Sequence, residues 1–296
     1  MTHKGWMLYD RAEAQRNREY IQLYEDACRE RFPQLSIQVV LLEELDFGVW
    51  DGKAVLWYQG EPVDPPDFAI CRMRYPLLTR QLEQMGVRCF NCYDTALLCN
   101  DKARTGQLAA GLGVPVIDTR FYKNKYKASA LRWERFPAIV KTAGGHGGKN
   151  VFLARDRREL EDALEQMGHW DFVVQPQVEG PPDQPPRDLR VYVVGNRICA
   201  AVLRSAREGY RANYGLGGSA RLYELSDEQQ KLVERILSQV RLDLGGVDFL
   251  FDRQGELVFN EIEDVVGARM LYACSQVDLV GEYLEHIARC LSHTKE

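Results

Sequence analysis

The chain has 296 residues, 45% hydrophobic and 27% charged, and 38 Lys and Arg against 43 Asp and Glu leave it a net charge of −5. That apolar content suffices for a packed core and excludes a disordered chain or a coiled-coil rod. The negative balance argues against nucleic acid as partner, no window approaches the roughly 18 apolar residues of a membrane span, and the start lacks the apolar stretch of an export signal, so a cytoplasmic protein without membrane contact is expected.

The length suggests two domains. Trp6 to Tyr9 is a short apolar run, and from Arg11 to Arg31 the residues Tyr20, Leu23, Tyr24, Ala27 and Cys28 keep the three-four spacing of one helical face. β-rich runs at 37–42 and 67–71 follow. Strands separated by helices predict parallel βαβ units, with a ligand crevice at the strand ends. A helix is expected from Asp101 to Leu112 with Gly113 as its stop, then strands at 136–141 and 151–154 around a glycine-rich connection. Asp156 and Glu159 form a capping box for a helix stopping near Gly168. Four prolines between Gly180 and Pro186 require a loop. Strands at 189–194 and 198–203 are joined by the turn Gly195-Asn196. Ser226 with Gln229 caps a helix carrying Leu232, Val233, Ile236, Leu237 and Val240 on one face, and Gly245-Gly246 is expected to end it. A hairpin of 247–251 and 256–263 and a last helix near 278–291 complete the chain, in which no internal repeat is visible.

Eight cysteines in a chain without an export signal read as reduced thiols. The CxxC of Cys89 and Cys92 has no second such pair and no nearby histidine, so these read as core or surface thiols rather than a zinc or redox site.

The run from Lys141 to Asn150 holds Gly144, Gly145, Gly147 and Gly148, whose backbone N–H groups can approach an anion without Cβ interference. It departs from the Walker pattern at Ala143 and Asn150, and from GxGxxG at Asn150. A strand, a glycine loop and a second strand fit a flap over a nucleotide, with Lys141 supplying positive charge; a plain hairpin with a loose tip is the alternative. Lys102 by itself reads as a helix-surface lysine and His146 as a loop tip.

A two-residue turn at Gln254-Gly255 would set Asp248 opposite Glu261, with Glu263 on the same face, since side chains two apart on a strand point the same way. Three converging carboxylates make sense around divalent cations, and oxygen-only ligands favour Mg²⁺. A bulge or longer loop would move one acid to the other face. Between loop and hairpin lie Arg190, Arg204, Arg207 and Arg211, with Asn213 and glycines at 215, 217 and 218. Arginine suits phosphoryl or carboxylate oxygens. Together these groups describe a site for a magnesium-bound polyphosphate nucleotide.

The segments FPAIVKTAGGHGGKNVFLA (136–154), DLRVYVVGNRICAAVLR (188–204), YRANYGLGG (210–218) and GGVDFLFDRQGELVFNEIE (245–263) resemble, in order and spacing, ATP-grasp enzymes, in particular the RimK-type glutamate ligases. The likeness covers roughly 65–290. It implies an α/β and α+β chain: a Rossmann-like pre-ATP-grasp domain over 1–98 and an ATP-grasp domain over 99–296, with a flap lobe at about 120–175 and a C-terminal lobe at 176–296. It further implies ATP with Lys102, Lys141 and Arg190 toward its phosphates, the Gly144 to Gly148 loop over them, and Gln175, Gln177 and Val178 at the adenine. Asp248, Glu261 and Glu263 would hold one or two Mg²⁺ (or Mn²⁺), with Arg204 and Asn213 at the transferred phosphate. Position 263 departs from the asparagine usual in the family, and Val265-Val266-Gly267 replaces a serine-proline-glycine run. Arg72, Arg74 and Arg211 are candidates for holding the carboxylate substrate. The activity implied is an ATP-dependent ligase that activates a small-molecule or peptide carboxylate as an acyl phosphate and passes it to an amine or amino acid; a homo-oligomer is compatible with this. A phosphotransferase and an ATP-binding regulator without turnover are the alternatives.

Overall fold

The computed structural model describes residues 2–145, 150–205 and 219–292. The chain opens with β1 (His3–Tyr9), whose Trp6 and Leu8 face one core and Met7 and Tyr9 another. Burial on both faces is what an inner strand of a parallel sheet requires. The helix expected over 11–31 is two, α1 (Arg11–Arg16) and α2 (Arg18–Glu30), separated at Asn17, whose Nδ2 bonds back to the Glu13 carbonyl at 2.8 Å. Next comes β2 (Leu35–Leu41).

The strands β3 (Leu45–Trp50), β4 (Lys53–Tyr58) and β5 (Glu61–Pro62) form a small antiparallel sheet beyond the expected elements. Its signal was the pair Asp51-Gly52, both at positive φ, the two-residue turn that matches strand twist. Then follow β6 (Phe68–Cys71), α3 (Pro76–Gln84), β7 (Arg88–Phe90) and α4 (Tyr93–Cys99). The first sheet has the order β2-β1-β6-β7 with every pairing parallel.

After α5 (Lys102–Gly111), a second sheet is built from β8 (Arg120–Tyr122), β9 (Ala138–Thr142), β10 (Val151–Ala154) and β11 (Phe172–Pro176), in the order β10-β9-β11-β8 and antiparallel. Helix α6 (Arg157–Gln166) covers it. Asp156 caps this helix by accepting from Glu159 N, but the Glu159 carboxylate reaches Arg155 N at 2.7 Å rather than the cap residue's own N–H.

The third sheet, β14-β13-β12-β15-β16, comprises β12 (Arg187–Val194), β13 (Arg197–Ser205), β14 (Ser219–Leu222), β15 (Leu244–Phe251) and β16 (Leu257–Glu263). Gly195 and Asn196 make the expected β12–β13 turn, both at positive φ. Helix α7 (Asp227–Leu237), with the full Ser226–Gln229 capping box, packs Val233, Ile236 and Leu237 against one sheet face. It stops at Leu237, well short of Gly245-Gly246, which lie inside β15. A Cβ on Gly246 would stand 2.9 Å from Val266 Cγ2 and 3.4 Å from Arg190 Nε, so this glycine makes room for a neighbouring side chain and ends nothing.

Helices α8 (Arg269–Cys274) and α9 (Leu279–Ser292) finish the fold. Leu279, Tyr283, Leu284 and Ile287 of α9 share one core with α2, the first sheet, and Tyr192, Val194 and Val202 of the third. Polar contacts reinforce this junction. The buried Asn91 accepts from Asp243 N (2.6 Å) and Leu244 N (3.2 Å) and donates to the carbonyls of Leu244 and Asp264. Cys89 and Cys92, on either side, are free thiols, Cys89 buried. Among the described residues no helix is long and apolar enough to cross a membrane.

Close packing between β1 and β6 yields the first prediction. A Cβ on Gly5 would lie 2.1 Å from the Phe68 ring, itself fully buried. Gly5→Ala is expected to lower stability by about 1–3 kcal/mol, read as an earlier first transition in urea unfolding; an unmoved transition would show that the Phe68 ring yields freely.

Candidate active site

The third sheet carries two kinds of surface. Leu189, Val191, Leu203, Val247, Phe249 and Ile262 face the core closed by α5 and α7. The opposite face, at one end, carries Asp188, Arg190, Arg204, Asp248, Glu261 and Glu263. Register explains the grouping, since Arg190 pairs with Asp248, Asp248 with Glu261, and Asp188 with Arg204 across adjacent strands.

Asp248 is opposite Glu261 as expected, but by a different route. The hairpin has no two-residue turn at Gln254-Gly255. Its connection runs from Asp252 to Glu256, with Asp252 Oδ1 accepting from Gln254 N (2.9 Å) and Glu256 N (2.8 Å). That longer loop alone would misplace the acids by one residue. A bulge at Asn260, between the pairs Asp248–Glu261 and Phe249–Phe259, restores the register. The pattern signals this bulge: Leu257 and Phe259 share the parity of Glu261 and Glu263, yet Ile262 is the next core residue.

The charges on this face neutralise one another in pairs and triples. Arg190 donates to Asp248 through Nε (2.8 Å) and Nη2 (2.7 Å), and Arg204 Nη2 donates to Asp248 Oδ2 at 2.8 Å. Arg204 Nε donates to Asp188. Burial works to raise the Asp248 carboxyl, but the two guanidiniums outweigh it and hold it below the ordinary carboxylate range. Asp188 has one arginine partner and Asp248 as a negative neighbour, so burial prevails and pushes it upward. Arg190 Nη2 also lies 2.7 Å from Glu263 Oε2, so one cationic nitrogen sits between Asp248 and Glu263. Arg74 meets the other Glu263 oxygen at 3.3 Å.

Beside this network stand the two lysines. Asp101 caps α5 and Lys102 N bonds the Ala143 carbonyl (2.8 Å), fixing the helix start against the end of β9. Lys102 Nζ reaches the Gly145 carbonyl (2.9 Å) and Glu261 (3.4 Å). Lys141, on β9, donates to Asn260 Oδ1 at 3.1 Å, which gives the bulged residue a second role. Gly145 has φ +100, a conformation that favours glycine, and Gly144 precedes it with its Cβ position 3.6 Å from the Asn100 carbonyl. Gly147, Gly148, Arg211 and Asn213, with His146 and Arg207, lie outside the described residues.

Gln175 is on β11, two residues past Val173, the partner of Lys141. Its Nε2 donates to Thr119 Oγ1 at 2.8 Å, while its buried Oε1 has no hydrogen-bond partner among the described residues. The Gln177 N–H is bonded to the Pro137 carbonyl and Val178 follows, half-buried. Arg72 is buried more deeply than a surface clamp would be, with Nε toward Tyr9 Oη (3.2 Å) and Nη2 to the Val266 carbonyl (2.9 Å); Nη1 has no partner among the described residues. Two contributors the motifs did not single out are Asn260 and Asp188. The parity switch in β16 marks the first; the second stands two residues before Arg190 on the same strand face.

Comparison with known proteins agrees with this architecture. The family model described as the RimK-like ATP-grasp domain matches residues 99–287. The chain is similar to beta-citrylglutamate synthase B of Mus musculus (29% identity, over 98% of this chain and 78% of that protein). It is also similar to a probable alpha-L-glutamate ligase of Xanthomonas campestris pv. campestris (strain 8004), with 32% identity over 80% of this chain and 84% of that one. The solved structure of the ATP-grasp ligase PsnB, complexed with a phosphomimetic variant of its minimal precursor, Mg and ADP, superposes with a TM-score of 0.66 at 17% identity, covering 98% of each chain. The chain therefore belongs to the RimK-like ATP-grasp family, whose members are ATP-dependent carboxylate–amine ligases.

Proposed function

We propose that this ligase joins a carboxylate to the amine of an amino acid or peptide through an acyl phosphate, on the charged face of the third sheet. The observation that carries this is the meeting, on one strand, of two lysines from separate segments, Lys102 with Glu261 and Lys141 with Asn260, beside the carboxylates of Asp248 and Glu263. The names of the two curated relatives, both built on glutamate, support an amino acid as one reactant.

The donor set fits magnesium. It is all oxygen, and Arg190 Nη2 already occupies a cation position shared by Asp248 and Glu263. Asp248, Glu261 and Glu263 would hold one or two Mg²⁺, with Mn²⁺ an acceptable substitute. Such an ion, when bound, draws charge from phosphoryl oxygens. Lys102 and Lys141 neutralise the triphosphate from the other side, and the glycines from Gly144 to Gly148 offer backbone N–H groups. The unpaired Gln175 Oε1 supports an adenine amino group as its donor, with Gln177 and Val178 lining that edge. Arg204 and Asn213 are the residues we assign to the transferred phosphoryl group, and Arg190 holds the metal carboxylates in place. Arg74 and Arg211 orient the substrate carboxylate, one oxygen of which attacks the γ-phosphorus as ADP leaves, while the buried Arg72 braces the Val266 carbonyl behind them. The amine then attacks the acyl carbon, phosphate departs and the nitrogen gives up its proton. The chain's contribution is positioning and charge compensation.

Incubation with Mg-ATP, hydroxylamine and pooled carboxylic acids is expected to yield a hydroxamate and ADP. Glu261→Gln should cut this turnover by about 100-fold or more at an unchanged unfolding midpoint, because Glu261 is half-exposed. Asp248→Asn should cut it as strongly and also destabilise the fold, by up to about 3–5 kcal/mol, since it strips a buried carboxylate from two arginines. Full turnover in both variants would refute the metal assignment.

The lysines give a pH test. Burial, aided by Lys102 and opposed by Glu261, lowers Lys141 to about 8. A bound triphosphate favours the charged amine, so binding takes up a proton above that pH and affinity for a nonhydrolysable ATP analogue falls as pH rises from about 7 to about 9.5. In Lys141→Arg, whose charge persists, the slope is expected to flatten. Calorimetry in buffers of differing ionisation enthalpy measures the uptake; a pH-independent affinity in the parent chain would remove Lys141 from the phosphate site.

A further inference from the structure

The small sheet of β3, β4 and β5 carries a face that the proposed chemistry does not use. β3 is its edge strand, and Val49 and Trp50, 73% and 71% exposed, leave the end of that strand uncovered on both sides. Register sets the face. Asp46 lies opposite Trp57, Gly48 opposite Val55 and Trp50 opposite Lys53, so these six point the same way, and Pro62 of β5 joins them beside Trp57.

With no side chain at Gly48, the Trp50 and Trp57 rings lean toward each other edge to face, 6.4 Å apart, and a Cβ on Gly48 would meet nothing within 4 Å. Trp50, Val55, Trp57, Pro62, Asp64 and Met85 line an open groove of about 760 Å³ there. Its charges are unevenly placed. Asp46 stands on the β3 side and Asp64, two residues past Pro62, on the β5 side, and among the described residues neither has a lysine or arginine within ion-pair distance. Lys53 is at the other end, beside Trp50.

We infer that this groove docks an extended, basic segment of a partner polypeptide, with a lysine or arginine seated against Trp57 between the two carboxylates and a neighbouring apolar side chain filling the space over Gly48 beside Trp50. An indole face with a carboxylate on either side attracts a cation and repels an anion. Open ends suit a chain that runs past the site rather than an enclosed metabolite, and an edge strand offers such a chain its main-chain groups. The same two carboxylates disfavour an anionic lipid surface.

The test titrates the full chain, saturated with a nonhydrolysable ATP analogue, with three capped heptapeptides of alternating sequence: lysine–leucine, glutamine–leucine and glutamate–leucine. One lysine–leucine peptide per chain is expected to bind and to shift the indole N–H resonances of Trp50 and Trp57, with the glutamine–leucine peptide at least about fivefold weaker and the glutamate–leucine peptide weaker still. Trp50→Ala, at an exposed position, and the double change Asp46→Asn with Asp64→Asn should each weaken the lysine–leucine peptide by about fivefold or more, at unchanged Tm and unchanged affinity for the analogue. Glu228→Gln with Glu234→Gln removes the same charge from the exposed face of α7. That variant should bind the peptide as the parent does, which separates docking from attraction to the net charge of −5. Equal affinity for the lysine and glutamine peptides, an equal loss in the α7 variant, or absence of saturable binding by all three would overturn the proposal. So would a concentration-dependent dimer that Trp50→Ala dissolves, since a second copy of the chain would then be the occupant.

Discussion

Strand β16 must bury Leu257, Phe259 and Ile262 in the core it shares with α5 and α7 and yet turn Glu261 and Glu263 to the other face. Strict alternation cannot do both, because residues 257 through 263 at every second position would all point one way. The bulge at Asn260 resolves the conflict by inserting one residue between the apolar half and the acidic half of the strand. Everything at the site follows from that insertion: the acids face the arginines, the core stays closed, and the extra residue supplies the oxygen that receives Lys141.

The same sheet face is divided along its length. Toward the β12–β13 turn it carries Tyr192, Val194 and Val202, sealed beneath α9 and the first sheet. Toward the start of β12 it carries Asp188, Arg190 and, on the neighbouring strand, Arg204. A charged cluster this buried persists only because Asp188, Asp248 and Glu263 each have a guanidinium in contact and Glu261 has Lys102. Asp248 takes two arginines and titrates low, while Asp188 takes one and titrates high. The division between apolar and charged halves is what places the charged groups beside the lysines rather than under α9.

Joints from the first sheet complete the arrangement. Asn91 satisfies four backbone groups around 243–244 and 264, and Arg72 ties β6 to the Val266 carbonyl. Arg74, two residues beyond Arg72, reaches Glu263. The glutamate that stands where the family usually has asparagine therefore comes with two basic partners, Arg74 and Arg190, which balance its added charge.

Local signals in the chain sufficed for the parts governed by short-range physics. The capped starts of α5, α6 and α7, the β12–β13 turn, the glycine loop between β9 and β10 and the family motifs could all be read from neighbouring residues, since capping, turn chemistry and alternation act over a few positions. The Asp51-Gly52 hairpin is equally local, a two-residue turn between the β-rich runs 47–50 and 54–58. Gly245-Gly246 misled because a glycine can end a helix or admit a neighbour, and only the packing of Arg190 and Val266 against β15 selects the second. The opposition of Asp248 and Glu261 was foreseen from a turn that does not exist; loop length and bulge changed the register in compensating directions. What tertiary structure alone decided was partnership: which arginine meets which acid, and that Lys141 meets Asn260. Those contacts join residues tens to hundreds of positions apart, and their energies depend on burial and distance, quantities that exist only once the sheets have packed.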